Sequence, residues 1–426
     1  MKAKLFTTAM GAALLMAGGN AYAADLGGNC CADLEERIAE LEATTARKGN
    51  RKVSLTVTGW VSSQIFWFDD GEESNVYVDD NNDDLSSNFK FTGSAQISPG
   101  WKAGYSLLIG TAGPSSLVDS SDGQPNSYGL NVNNSYWWVQ SDQLGKLSVG
   151  KQSLASDNST IFTDFTPTLF PSNTVATFDG FNMHVVVNGV QTGTRWHQAA
   201  YWCEHAGLGI ANDCNGLRQN GVRYDTPTFG GFSASASWGE DDFWDVVARY
   251  AGENGGFKMA FAVAYSETTD NASAGGVATN DSNFFQVGGT IQHLASGLWV
   301  HSTWSQESID DGPAHAPHQD ATGFFVKAGW TGKLNSLGNT SFWGEYGDNN
   351  DAFANTAGCG GCVFGVQIAE SDATRLGLGM TQEIDAAAMN FWVKYTQRDL
   401  DLTDANGAAF EADTLRMFLA GAVIFY

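Results

Sequence analysis

Nine basic residues stand at one phase of a two-residue repeat: Lys90, Lys102, Arg223, Arg249, Lys258, Lys327, Arg375, Lys394 and Arg416. Their neighbours on either side are lipid-compatible, as in Phe89-Lys90-Phe91 and Phe257-Lys258-Met259. Successive side chains of a strand point to opposite faces. The nine charges therefore share a face opposite the apolar one. Turned toward hydrocarbon, each would cost about 2–4 kcal/mol near the midplane. That cost points them into a wet interior. Such rows do no covalent chemistry; they act on solutes through charge and aperture. Asp157, Asp164 and Asp179 lie in one long segment between strands and are the candidates to oppose them. Opposed rows would set up a transverse field that orients polar solutes and slows apolar ones. The alternative for each Asp is capping a turn of its own segment.

The elements that must carry these residues are strands. From Val53 onward the apolar period is two. Phe257, Met259, Phe261, Val263 and Tyr265 alternate with small or charged residues, as do Phe232, Ala234, Ala236 and Trp238. One apolar and one wet face per strand suits a barrel in a bilayer. Short turns fall near residues 98–100, 141–145, 227–230, 253–256, 295–297, 334–339 and 384–386. Longer loops fall near 69–87, 112–131, 152–216, 239–242, 267–282, 306–322, 348–372 and 399–412. Seven turns and eight loops make sixteen strands, and residues 53–426 are enough for them. The expected fold class is all-β, a 16-stranded antiparallel transmembrane barrel. The run from Thr414 to Tyr426 is the expected last strand, pairing with the first so that no edge meets lipid. The same facing rule turns Phe425 outward and Arg416 inward. No stretch has about 18 apolar residues free of charge, which excludes a helical membrane protein.

The 152–216 loop holds Phe162, Phe165, Phe170, Phe178, Phe181 and Trp196. That is too aromatic for a disordered segment, so it is expected to fold against the barrel interior. Upstream, Lys2 and Lys4, an apolar run to Ala17 and Ala21-Tyr22-Ala23 read as a secretory leader over residues 1–23. Residues 24–52 contain the one convincing helix, 33–47, with Asp33 and Glu36 as a capping box. Cys31, Leu34, Ile38, Leu41 and Thr45 form a coiled-coil seam too short to stand alone. It needs identical neighbours, or else packs on the barrel's own mouth. Export makes disulfides the default for the cysteines. Cys203 with Cys214 and Cys359 with Cys362 each close a loop, and Cys30 and Cys31 could cross-link copies.

The net charge of −25 moves to −27 without Lys2 and Lys4, which excludes nucleic acid as a partner. Asp69, Asp70, Glu72, Glu73, Asp79, Asp80, Asp83 and Asp84 crowd the first loop and would gather cations at the outer mouth. Ca²⁺ on this acidic loop is the one cofactor suggested, but the EF-hand pattern fails: Asp84 replaces the required Gly and Lys90 the closing Glu. His315, His318 and Asp320 read as an ordinary polar loop. No metal site, cofactor or catalytic residue is therefore assigned. His184, His197, His205, His293 and His301 have no nucleophile motif beside them, which argues against a barrel enzyme.

Three stretches resemble a known family. They are Cys31-Ala-Asp-Leu-Glu-Glu-Arg-Ile-Ala-Glu-Leu-Glu with Lys52 to Trp60, Gly145-Lys-Leu-Ser-Val-Gly-Lys151, and Asn220-Gly-Val-Arg-Tyr-Asp-Thr-Pro227. The chain resembles the sixteen-stranded trimeric general porins of alphaproteobacteria along nearly its whole length, except that it ends in Tyr426 where such barrels end in Phe. The resemblance implies a homotrimer in the outer membrane of a Gram-negative bacterium, among lipid and lipopolysaccharide. It implies passive diffusion of ions and small hydrophilic solutes, a periplasmic N-terminal helix, and residues 152–216 folded inward as a constriction. Two other readings stay open. Trp60, Trp299, Trp343 and Trp392 take the inward phase, which would suit a sugar-specific channel unless they pack under the long loop. The barrel could also serve to anchor the envelope through its helix.

Overall fold

The structure is a computed structural model. It describes residues 53–81, 85–173, 179–203, 214, 218–240, 242–269, 281–309, 320–354 and 361–426. The leader, the 33–47 helix, Cys30, Cys31, Asp83, Asp84, Phe178, His205, His315, His318 and Cys359 lie outside these residues.

Sixteen strands form the wall: β1 (Thr56–Asp69), β2 (Asn88–Ser98), β3 (Trp101–Ala112), β4 (Gly129–Ser141), β5 (Gly145–Ser153), β6 (Arg218–Asp225), β7 (Phe232–Gly239), β8 (Trp244–Asn254), β9 (Phe257–Thr268), β10 (Ser282–His293), β11 (Leu298–Ile309), β12 (Ala321–Gly332), β13 (Thr340–Asn350), β14 (Val366–Ile384), β15 (Met389–Asp404) and β16 (Leu415–Phe425). Each pairs antiparallel with the next. β16 returns to β1, with Trp60 opposite Phe425 and Asp69 opposite Arg416. On its other side β1 pairs with β2 from Thr56 to Trp60 and with a short strand, Ser74–Asp79, from Gln64 to Asp69. The ring is closed, so its backbone groups are spent on neighbouring strands rather than left facing lipid.

Alternation follows the sequence over most of the ring. Phe261, Val263, Leu376 and Leu378 are exposed on the outside, while Ala260, Ala262, Ala264 and Ala373 are buried on the inside. β14 and β15 are the longest strands and run into segments expected to be loops, 348–372 and 399–412. Their upper ends are polar on the outer face, with Asp372 opposite Asp401. Beyond hydrocarbon the outer face need not be apolar, and there the apolar phase is reversed: Ala373, Leu400 and Leu402 point inward onto the loop core while Asp399 and Asp401 take the outer phase.

The facing of β16 corrects the expectation. Leu415, Met417, Leu419 and Val423 are buried inside, and Arg416, Phe418 and Ile424 are exposed outside. Phe425 also turns inward, packing with Trp60 and Phe170. The rule that apolar residues face outward fails where the long loop supplies an apolar surface for the wall to pack on. Phe66, Phe68, Leu400, Leu402, Leu415, Met417 and Leu419 share one core with Met183, Val185, Trp196 and Tyr201 of that loop.

Leu378 is 62% exposed and stands seven residues above the turn that follows β14. At about 3.3 Å per residue and a tilt near 40° this is about 17–18 Å up, within the hydrocarbon band. Leu378→Lys is expected to lower unfolding stability in lipid vesicles by about 2–4 kcal/mol. Leu337→Lys, in the turn between β13 and β14, is expected to change it by less than about 1 kcal/mol.

Candidate pore constriction

The described residues of the connection between β5 and β6, 154–173, 179–203 and 214, fold against the inner wall of the barrel. The connection begins where Arg223 of β6 donates to the carbonyl oxygens of Ser153 and Leu154, both at 3.0 Å. Arg249 of β8 then holds the Ala155 carbonyl at 2.6 Å. Ser156 donates through its backbone N–H and hydroxyl to Asp245, at 2.7 and 2.6 Å. The Thr160 hydroxyl reaches Gln286 of β10 at 2.6 Å. A short 3₁₀ turn, Ile161–Thr163, carries the chain on to β12.

There the first buried ion pair forms. Lys327 Nζ donates to Asp164 Oδ2 at 2.6 Å, to the Thr168 hydroxyl at 2.7 Å and to the Ser172 carbonyl. Ser172 in turn donates to Glu345 of β13. Glu345 lies 3.5 Å from Arg375 of β14 and 3.8 Å from Lys394 of β15. Arg375 donates to the Asn173 carbonyl at 3.2 Å, and Lys394 to Asp179 at 3.1 Å. None of these charged side chains is more than 5% exposed. Three bases, two loop acids and one wall acid thus neutralise each other without water. Burial alone would favour a neutral Asp164, but the adjacent Lys327 ammonium outweighs it and holds the carboxyl below the usual carboxylate range.

The rest of the loop is fixed by packing. Phe170 meets Trp60 edge-on at 5.7 Å and stacks on Trp392 at 6.4 Å. Those two indoles are therefore covered by the loop rather than offered to a sugar. A hairpin, His184–Val187 with Val190–Arg195, leads to a five-residue helix, Trp196–Ala200. His184–Val187 carries no strand signal in its residue pattern, because all four residues are buried and show no alternation. Arg398 of β15, fully buried, lies 5.1 Å from the Tyr201 ring. Phe181 stacks on His197, and burial pushes that imidazole down to about 4. The loop closes on the Cys203–Cys214 disulfide. Cys362 is also disulfide-bonded.

The residues expected to line the interior thus separate into groups. Lys327, Arg375, Lys394, Arg223 and Arg249 hold the loop. Lys258 lies 4.4 Å over the Phe165 ring. Lys90 and Lys102 are on the inner phase of β2 and β3, away from the loop's ion pairs. Arg416 is on the outer face, a correction that follows from the packing of Met417 and Leu419. Asp164 and Asp179 meet the wall as closed ion pairs, not as a row across a gap. Asp157 is buried and accepts from Asn158, its sequence neighbour. Glu345 and Arg398 also meet the loop, and the reading of the sequence missed both. Both show the inward phase: Glu345 opposes Phe342 and Tyr346, and Arg398 stands four residues after Lys394.

A family model described as Gram-negative porin matches residues 8–422. The chain belongs to the Gram-negative porin family. No curated protein matches it. Among solved structures it is similar to the anion-selective porin from Comamonas acidovorans, with 17% identity, a TM-score of 0.56, and 88% of this chain and 100% of that one covered. It is also similar to the outer membrane protein OmpT of Vibrio cholerae, with 14% identity, a TM-score of 0.52, and coverage of 89% and 99%. A trimer form of that protein matches with 14% identity, a TM-score of 0.50, and coverage of 88% and 99%. Family and barrel place this porin in the outer membrane as a channel for passive diffusion, and point away from an enzyme.

Removing one partner of a buried pair leaves a bare charge. Lys327→Met is expected to destabilise this porin by about 3–5 kcal/mol. The double variant with Asp164→Asn should lose far less than the sum of the singles, measured by unfolding in vesicles. Because the Asp164 pKa is lowered, its pairing is complete above the usual carboxylate value of about 3.9 and is lost only as pH falls through the lowered one. Open-channel current noise should stay flat from about pH 8 to 5 and rise below about pH 4.

Proposed function

We propose that this chain is a general diffusion porin of the alphaproteobacterial type, working as a homotrimer. Ions and small hydrophilic solutes cross through an aperture bounded on one side by the inward loop and on the other by the inner wall of β2–β5. The observation that carries this reading is that, among the described residues, the loop is fastened to the wall from β6 to β15 and packs on β16 and β1, but makes no hydrogen bond to strands β2–β4. Its hydrogen bonds to the wall run to β6–β8, β10 and β12–β15, and further bonds tie it to Ser116, Ser121 and Asp122 of the connection between β3 and β4. On the opposite wall Lys90, Thr92, Tyr136 and Trp138 stay part-exposed. Lys90, Lys102 and Lys258 then line the passage, while the other inward bases position the loop.

The trimer rests on the implied coiled coil at residues 33–47 and on the trimer form of the Vibrio protein. The leader, residues 1–23, is removed, and residues 24–52 stand in the periplasm below the barrel. Lipopolysaccharide and outer-membrane lipid surround the exposed apolar belt.

Planar bilayers test the reading. The expected record is a large ohmic conductance closing in three equal steps, with liposomes swelling in small sugars and not in large ones. Asp164→Asn with Asp179→Asn should raise the conductance noise by loosening the loop. A chain that folds, inserts and carries no current would contradict the proposal.

A further inference from the structure

On the open wall, four hydroxyl residues line up across four strands. Thr56 of β1 is opposite Thr92 of β2, Thr92 opposite Ser106 of β3, and Ser106 opposite Tyr136 of β4. Ser94 and Lys90 flank Thr92 on the same face. Together they line a cleft of about 230 Å³ in which no lining residue is acidic.

Two observations point to a ligand. The Ser106 hydroxyl is buried, at 4% residue exposure, and has no hydrogen-bond partner. An unmet buried hydroxyl is costly to leave. Lys90 has no carboxylate within ion-pair reach among the described residues, whereas Lys327 has Asp164 and Lys394 has Asp179 and Glu345. An ammonium in one cleft with several hydroxyls and no competing carboxylate matches an anion that carries oxygens on several sides. The hydroxyls alone would serve a sugar as well, since each also accepts; the Lys90 ammonium with no carboxylate beside it is what favours an anion and repels a cation.

We propose that this cleft is a binding subsite for small oxyanions of the phosphate class. Lys90 supplies the charge, and Ser106, Thr92, Thr56 and Tyr136 supply hydrogen bonds. The inference rests on the channel reading above and adds a saturable station to it. It sits inside a protein whose outer loops are acidic, so the station acts after an anion has passed the mouth.

Inorganic phosphate added to full-length channels in chloride is the probe. Chloride current through the wild type should fall saturably as phosphate rises. Lys90→Gln should move the half-blocking concentration at least tenfold, Ser106→Ala a few-fold, and Lys258→Gln not at all. Labelled phosphate binding to the detergent-folded barrel should follow the same order, and it reads the cleft even if no current flows. Phosphate that neither binds nor blocks saturably, or a Lys90→Gln channel with the wild-type half-block, would overturn the subsite. Absence of chloride current with intact phosphate binding would overturn the channel reading and leave the subsite standing.

Discussion

A charge taken out of water must find a partner, and the inner wall of this barrel is built around that requirement. Lys327, Arg375 and Lys394 lie under the loop at 3% exposure or less. Left bare there, each would carry several kcal/mol of desolvation cost. Asp164, Asp179, Glu345 and the loop carbonyls remove that cost only in one arrangement of the loop. Because both members of each pair are deeply buried, shifting the loop by a few ångströms would strand charges on both sides. The electrostatics therefore act as position markers along the wall rather than as a large net source of stability. Apolar packing of Met183, Val185 and Trp196 on Phe66, Leu402 and Met417 supplies the bulk of the contact.

Closure of the ring and fastening of the loop work at different scales. Closure follows from backbone hydrogen bonding in lipid, which does not depend on which side chains fill the lumen. Fastening depends on a few named side chains. The fold can thus be shared with the Comamonas and Vibrio proteins at 17% and 14% identity.

The strand number and most of the facing were legible because hydrocarbon enforces a period of two. Phe261 and Val263 read outward and are outward; Lys327 and Lys394 read inward and are inward. Arg416 was misread because its strand packs the loop with Met417 and Leu419, so both faces of β16 are apolar. The pairing of Asp164 with Lys327, 163 residues apart, left no local trace in the sequence. Nor did the burial of Arg398 beneath Tyr201. The hairpin inside the loop was hidden for a related reason: a segment buried on both faces has no alternation to read. The disulfide between Cys203 and Cys214 was visible because export and short separation suffice to suggest it.

On the proposed reading the loop covers one side of the lumen and leaves the inner wall of β2–β5 open. Single cysteines treated with a charged, membrane-impermeant thiol reagent during current recording test it most directly. Thr92→Cys on the open wall should be modified within seconds and cut the current, whereas Thr396→Cys, buried beneath the loop on β15, should stay unmodified with the current unchanged. Rapid modification at residue 396, or none at residue 92, would contradict the account.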